Sequence, residues 1–282
     1  MAEANVYGIN VSGLPSTRWL APPVAGAPSI AVRETPGSLP TGHILLTADR
    51  AEVALKDEPP HGLVMERGAG EATYLGPPLA HTDFAHPYLG PITTILHRWS
   101  GREVVHAGAF VADDVAWGIT AASQGGKSTV LAAIAGAGYR IVADDLVVTD
   151  GSQVLAGPRC LDLRHPPDAA LAARFEVTKV RCDARWRLTL PAEAPALPLG
   201  GWVFLEWGNG SPQVRRLRPS ELVGRLAQSR QFPSLPSDPQ VLLAMAAAPA
   251  WELTRPRSFD SLAATVTLLI DALRRRSADR AG

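Results

Sequence analysis

The chain has 282 residues, room for one large domain or two small ones, and if compact it buries roughly three quarters of its unfolded surface. Its 27 basic and 27 acidic residues cancel, which argues against a broad polyanion-binding surface and so against nucleic acid as a partner. Cys160 and Cys182 have neither metal-ligand spacing nor the number for a disulfide framework, no apolar stretch reaches the roughly 18 residues of a membrane span, and no basic region leads into an apolar one at the N-terminus; a soluble, unexported, cytoplasmic protein is expected.

Residues 1 to about 35 are poor in charge and rich in Pro and Gly, with one apolar patch at Ile30-Ala31-Val32. Short strands follow at Ile44 to Thr47, Glu52 to Leu55, Leu63 to Arg67 and Glu71 to Leu75, the last two closed into a hairpin by Gly68-Ala69-Gly70. A β-rich N-terminal unit over 1–95 is expected. From His86 to Trp99 the apolar positions Tyr88, Leu89, Ile92, Ile95, Leu96 and Trp99 recur at helical spacing, and Pro91 sits near the start, where proline is tolerated. Such a helix packs Trp99 on a sheet and leaves His97 at its margin.

The apolar run ending at Trp117-Gly118-Ile119-Thr120 reads as a buried strand. Behind it come Ala121-Ala122-Ser123-Gln124-Gly125-Gly126-Lys127-Ser128, then Thr129 to Ala135 at helical spacing, stopped by Gly136 and Gly138. A loop of small residues lets backbone N–H groups converge on a phosphate, aided by the positive end of the next helix. In the G-x-x-x-x-G-K-[ST] pattern the lysine, here Lys127, reaches the outer phosphates, and the hydroxyl, here Ser128, ligands Mg²⁺. Ala121 stands at the first glycine of that pattern. The helix travels about 14 Å out and a strand from Tyr139 to Ala143 about 16 Å back, so a right-handed crossover in one parallel sheet leaves Asp144 and Asp145 level with the loop at the carboxyl edge. Adjacent carboxylates there divide the labour: one holds Mg²⁺ or its water and the other accepts a proton from a hydroxyl. A strand-ending turn is the plainer alternative. The same Ala-Asp-Asp string at 112–114 lies between two short apolar runs and reads as a solvated hairpin turn.

Beyond Leu163, the tract Asp168 to Arg187 carries Arg174, Lys179, Arg181, Arg185 and Arg187 against Asp168, Glu176 and Asp183, a solvated loop or strand face in preference to a ligand contact. Pro191 to Pro198 reads as an irregular linker, Trp202 to Trp207 as a strand, Gly208-Asn209-Gly210 as a turn, and Gln213 to Leu217 as its hairpin partner. Helices are expected from Pro219 through Gln228 and from Pro239 to Ala248, a strand over Trp251 to Thr254, and a long helix over Ser258 to Arg276 with Ser258 as N-cap. Arg274-Arg275-Arg276 favours the negative end of that helix. Arg230 is a further cation within reach of a phosphate.

His106, the Lys127-Ser128 pair and Asp144-Asp145 together resemble the catalytic core of the HPr kinase/phosphorylase family, in which a histidine two short strands before the phosphate loop is followed by an Ala-Asp-Asp string. The likeness covers roughly 101–165. That family carries a Leu-Glu-(Val/Ile)-Arg-Gly signature; Leu161-Asp162-Leu163-Arg164 is similar, with Asp for Glu and His165 for Gly. Smaller peptide-modifying relatives, the lasso-peptide kinases among them, look closer in size and in the string from Gly157 to Arg164. The resemblance implies an α/β fold with an HPr kinase-type P-loop domain over 96–282. It further implies Asp144 as the base, Asp145, His106 and Lys127 as its catalytic companions, and Arg164 as a phosphate contact. The nucleotide cradle would comprise Ser123, Gln124, Gly125, Gly126, Lys127, Ser128 and Thr129, and the metal set Ser128, Asp145 and Asp162.

The reading that follows is an ATP- and Mg²⁺-dependent kinase acting on a hydroxyl, with serine of a peptide or small protein as acceptor. A small-metabolite kinase or phosphohydrolase is the second reading, and a nucleotide-binding module without catalysis the third. Assembly into a homo-oligomer stays open.

Overall fold

In the computed structural model, residues 3–56, 60–182 and 184–281 are described, with side chains as far as Arg275; Asp183 and the Arg276 side chain lie outside them. The first seven strands are β1 (Ala4–Val6), β2 (Ile9–Ser12), β3 (Ser29–Thr35), β4 (Ile44–Leu46), β5 (Arg50–Ala54), β6 (Gly62–Glu66) and β7 (Glu71–Leu75). They form one sheet in the order β1-β2-β3-β7-β6-β5-β4. Buried and half-buried residues alternate along β5 and β7, as period-two sequences with one covered face require. A turn over Phe84–Tyr88 leads into α1 (Leu89–Trp99).

The second part contains β8 (Glu103–Val105), β9 (Gly108–Ala112), β10 (Val115–Ala121), α2 (Lys127–Gly136), β11 (Ile141–Ala143), β12 (Val147–Thr149), β13 (Gln153–Leu155) and β14 (Cys160–Leu163). It continues with α3 (Ala169–Arg174), β15 (Val177–Val180), β16 (Arg185–Thr189), β17 (Ala196–Trp207), β18 (Gln213–Arg216), α4 (Pro219–Ser229), α5 (Pro239–Ala247), β19 (Ala250–Arg255) and α6 (Leu262–Ala281). The result is a mixed α/β fold with several sheets. Among the described residues no helix is long and apolar enough to cross a membrane.

In the central sheet β10, β17 and β19 run parallel, and β11 is joined to β10 through β9 by two antiparallel steps. The carboxyl ends of β10, β11, β17 and β19 therefore share one edge, where open α/β sheets bind ligands. Alternation along β17 divides two cores: Val203 and Leu205 join Val130, Leu131, Ile134, Leu269 and Leu273 on one face, and Trp202 and Phe204 join Leu222, Leu226 and Met245 on the other. A sheet covered on both faces explains why β8, β11 and β12 are wholly buried. Gly118 is required there, since a Cβ would lie 2.4 Å from the Trp202 ring.

Several expectations give way to packing. β11 is parallel to β10 but not its neighbour, because β9 occupies the intervening place. The strand after Gly208-Asn209-Gly210 does not pair back on β17; β19, with Leu253 fully buried, takes the inner position and leaves the polar β18 at the edge. Pro191 to Pro198 is partly strand, since β17 opens at Ala196 and Pro198 sits opposite Gln153 of β13. His97 is not marginal: it is 2% exposed, and its Nε2 donates to the carbonyl of Tyr7, in the β1–β2 turn, at 2.9 Å. The basic tract splits into α3 and the β15–β16 hairpin, in which Arg187 is fully buried. Arg230 is spent on the buried Glu103, 3.0 Å away, rather than on a ligand. The last helix begins at Leu262, with Ser258 heading a turn before it, its Oγ accepting from the Asp260 amide at 3.2 Å. The 112–114 turn is a hairpin, with Asp113 and Asp114 both at positive φ, as a tight two-residue turn demands.

Candidate active site

At the shared carboxyl edge lies a cavity of about 510 Å³. Its floor is the loop from Ala121 to Gly126 and the first turn of α2, the helix end whose free N–H groups favour an anion. Gln124 and Gly126 take left-handed backbone, φ 63° and 77°. Gly126 is further constrained because a Cβ would stand 2.2 Å from Arg255 Nη2. The loop is closed by the Gly125 amide donating to the Ala122 carbonyl at 2.8 Å. A Gly125 Cβ would stand 2.6 Å from that of Ala121, the alanine at the first glycine of the pattern.

Lys127, on the first residue of α2, reaches the end of β11. Its Nζ donates to Asp144 Oδ1 at 2.9 Å and to Asp145 Oδ1 at 2.8 Å. Burial alone would lower the Lys127 pKa, but the two carboxylates outweigh it and the ammonium is held above its ordinary value. Ser128 Oγ lies 3.1 and 3.2 Å from the two oxygens of Asp144, and the Asp145 amide donates to Asp144 Oδ1 at 2.9 Å. Asp144 is thus buried and engaged on the α2 side, while the Asp145 side chain keeps 34% exposure. Asp145 has φ 66°, a left-handed turn just past the strand end.

His86 supplies the contact that sequence did not reveal. Helical spacing in the sequence begins at His86, but its backbone is extended (φ −162°, ψ 119°), so α1 starts at Leu89 and the imidazole lies within 2.6 Å of Asp145 Oδ2. Burial would raise the Asp145 pKa; His86 and Lys127 overcome it and hold the carboxyl well below the usual range. His106 is fixed between β8 and β9, its amide donating to the Ser229 carbonyl at 2.7 Å and its carbonyl accepting from Thr120 Oγ1 at 3.0 Å. Burial, then Lys127, lowers the pKa of its ring, against a smaller opposing pull from Asp145 and Asp144. His86, Asp144 and Asp145 each offer one ligand atom, all within 4.8 Å of one another.

Every candidate from the sequence lines this one cavity: Ser123 through Thr129, His106, Asp144, Asp145, Asp162 and Arg164. Asp162 differs from the expectation in one respect. Its carboxylate accepts a bidentate pair from Arg187, Nε at 2.6 Å and Nη2 at 2.8 Å, with Arg181 a further 3.5 Å away, so its oxygens face arginines rather than Ser128. Arg187 continues to the His86 carbonyl at 2.9 Å and to the Thr82 carbonyl.

Cations dominate the remaining wall. Arg181 and Arg185 of the basic tract stand near Arg164, and burial plus these two neighbours lowers the Arg185 pKa. Arg255, at the end of β19, is buried, its guanidinium 4.1 Å from the Trp207 ring and its Nη2 donating to the Gly125 carbonyl at 3.2 Å. Burial without an acidic neighbour pushes its pKa down to about 10. No sequence signal marked it, because a lone arginine at a strand end has no distinguishing pattern. The arrangement suits a polyanion whose outer end meets Lys127 and the two aspartates.

No family model matches the chain, and no curated protein matches it. Among solved structures it is similar to the HPr(Ser) kinase/phosphatase from Coxiella burnetii, with 14% identity over 64% of this chain and 99% of that one, at a TM-score of 0.33.

Proposed function

We propose that the cavity binds ATP and transfers its γ-phosphoryl group to a hydroxyl, with serine of a peptide or small protein as the acceptor, in a P-loop kinase fold of the HPr kinase type. The observation that carries this reading is Lys127 Nζ bridging Asp144 and Asp145 at 2.9 and 2.8 Å beside the N-terminus of α2. A cation at the end of a glycine loop, poised against two carboxylates, is what phosphoryl transfer needs for positioning and charge neutralisation.

In this mechanism the loop amides and Lys127 hold the donor phosphates, and Arg164, Arg181 and Arg185 offset charge on the transferring group. Ser128 Oγ and Asp144 are hard oxygen donors side by side, a set that fits Mg²⁺; they would hold it, and it would supply neutralisation of the phosphate oxygens. Asp145 takes the acceptor proton, with His86 orienting its second oxygen. This exchanges the two aspartate roles implied by the family resemblance, since Asp144 is the one facing Ser128. Asp162, engaged by Arg187, positions the wall instead of the metal.

The test is mass spectrometry of serine peptides after incubation with ATP and Mg²⁺, alongside calorimetric ATP binding. Wild-type protein should add one phosphate to serine, and Lys127→Ala should lose both binding and transfer. ATP consumption at an undiminished rate without any acceptor would favour a hydrolase instead.

A further inference from the structure

A second cavity of about 220 Å³ meets the first at the aspartate pair: His86, His106, Asp144 and Asp145 line both. We infer that this second cavity is the acceptor site, and that it takes a neutral hydroxyl-bearing segment, a serine or threonine flanked by uncharged residues. The inference rests on the kinase reading above.

The two cavities differ in chemistry. The first has Lys127 and five arginines on its wall. Among the described residues the second has no lysine or arginine: beyond the four shared groups it is walled by Tyr7, Leu89, Pro91, Leu146, Cys160 and Phe232, with a few small or polar neighbours. An acidic side chain entering it would meet no cation on this wall, and a basic one would meet carboxylates already engaged by Lys127 and His86, so either charge would be buried unpaired, which is costly. A neutral group instead buries apolar surface on the way in and presents its oxygen to Asp145.

The N-terminal sheet contributes to this site. Tyr7 sits in the β1–β2 turn at φ 49°, is 2% exposed, and its hydroxyl donates to the Leu146 carbonyl at 3.2 Å, so the turn closes one side of the cavity just past the catalytic pair. α1 closes another side through Leu89, Gly90, Pro91 and Thr94. Donor and acceptor thus approach the aspartates from different sides. The acceptor oxygen forms a bond to the γ-phosphorus, the bond from that phosphorus to the β,γ-bridging oxygen breaks, ADP leaves with the electron pair, and the hydroxyl proton goes to the Asp145 carboxylate.

Gly90 provides the probe: a Cβ there would lie 3.5 Å from Leu146 Cδ1, an ordinary contact, and both residues line the cavity, so a longer side chain at this position takes up its space. The experiment offers ATP, Mg²⁺ and three blocked tripeptides, acetyl-Leu-Ser-Leu-amide, acetyl-Glu-Ser-Glu-amide and acetyl-Lys-Ser-Lys-amide, to wild type and Gly90→Leu. Phosphoserine is read by mass spectrometry and ATP affinity by calorimetry. The neutral peptide should be phosphorylated at least tenfold faster than either charged one. Gly90→Leu should slow that transfer more than tenfold while binding ATP with wild-type affinity, which separates a filled cavity from a damaged fold. Preference for a charged peptide, wild-type transfer by Gly90→Leu, or ATP binding with no transfer to the neutral peptide each overturns the acceptor site. Failure of the wild type to bind ATP overturns the kinase reading instead.

Discussion

His86 Nε2 lies 2.6 Å from Asp145 Oδ2, and the His86 carbonyl is in turn held by Arg187 Nη2 at 2.9 Å. The histidine is fixed at both ends, so the Asp145 carboxylate has a set orientation before any ligand arrives. Replacing His86 by alanine should lower kcat for phosphoryl transfer by roughly 10²–10³ with little change in the KM for ATP, the pattern of a lost proton-handling partner. Steady-state kinetics with ATP and acceptor varied separately decide it. A rise in KM for ATP at constant kcat would mean that His86 serves the donor side.

The neighbouring aspartates should separate by their dependence on metal. Asp144 faces Ser128, whereas Asp145 faces His86. Asp145→Asn should cut kcat at least 10²-fold at every Mg²⁺ concentration, while Asp144→Asn should raise the half-saturating Mg²⁺ about tenfold or more and recover part of its turnover at high metal. A Mg²⁺ titration of the two variants measures this. Should Asp144→Asn stay dead at saturating metal while Asp145→Asn retains turnover, the aspartate roles revert to those of the family resemblance.

How far the site was legible follows from which contacts are local in sequence. Lys127, Ser128, Asp144 and Asp145 fall along one strand, helix and returning strand, so helix rise and strand rise alone bring them level. His86 and Arg255 reach the same cavity from elements whose placement depends on tertiary packing, and no periodicity announces them. His97 escapes the pattern because helical spacing shows one apolar stripe, while α1 is also buried at His97 and Arg98, where the Tyr7 carbonyl gives the imidazole a partner. The misassigned hairpin after Gly208 has the same origin: turn chemistry marked a reversal correctly, but the identity of the partner strand was decided by β19, whose buried Leu253 competes for the inner position.

Arg187 and Asp162 form a buried pair, fully buried and 3% exposed at their side chains, and Arg187 also satisfies the His86 and Thr82 carbonyls. Truncating one partner strands the other charge, which typically costs about 3–5 kcal/mol. Arg187→Met should therefore lower the denaturant midpoint strongly, and Arg187→Met combined with Asp162→Leu should recover much of the loss, since an apolar replacement of both removes the stranded carboxylate. Turnover should not recover in the double variant, because His86 has lost its anchor. Equilibrium unfolding combined with kinetics on the single and double variants tests both statements; equal recovery of stability and activity would remove Arg187 from the positioning of His86.

His97 gives the fold a pH dependence separate from the site. Burial, reinforced by Arg102, lowers its pKa to about 3, although its bond to the Tyr7 carbonyl works the other way. In the unfolded chain an imidazole titrates near 6.5, so between these values the unfolded state binds the additional proton. The stability from a neutral His97 is therefore complete above about pH 6.5 and is lost progressively as pH falls toward 3. Near 1.4 kcal/mol per unit, acidification from pH 6.5 to 5 should cost about 2 kcal/mol from this group. In a chain of 282 residues that corresponds to a fall in Tm of roughly 3–4 °C. His97→Gln keeps a donor for the Tyr7 carbonyl but does not titrate, so its Tm should decline less steeply over the same interval. Calorimetric scans of both proteins from pH 7.5 to 5 measure the difference in slope, and parallel declines would show that His97 gains its proton without unfolding.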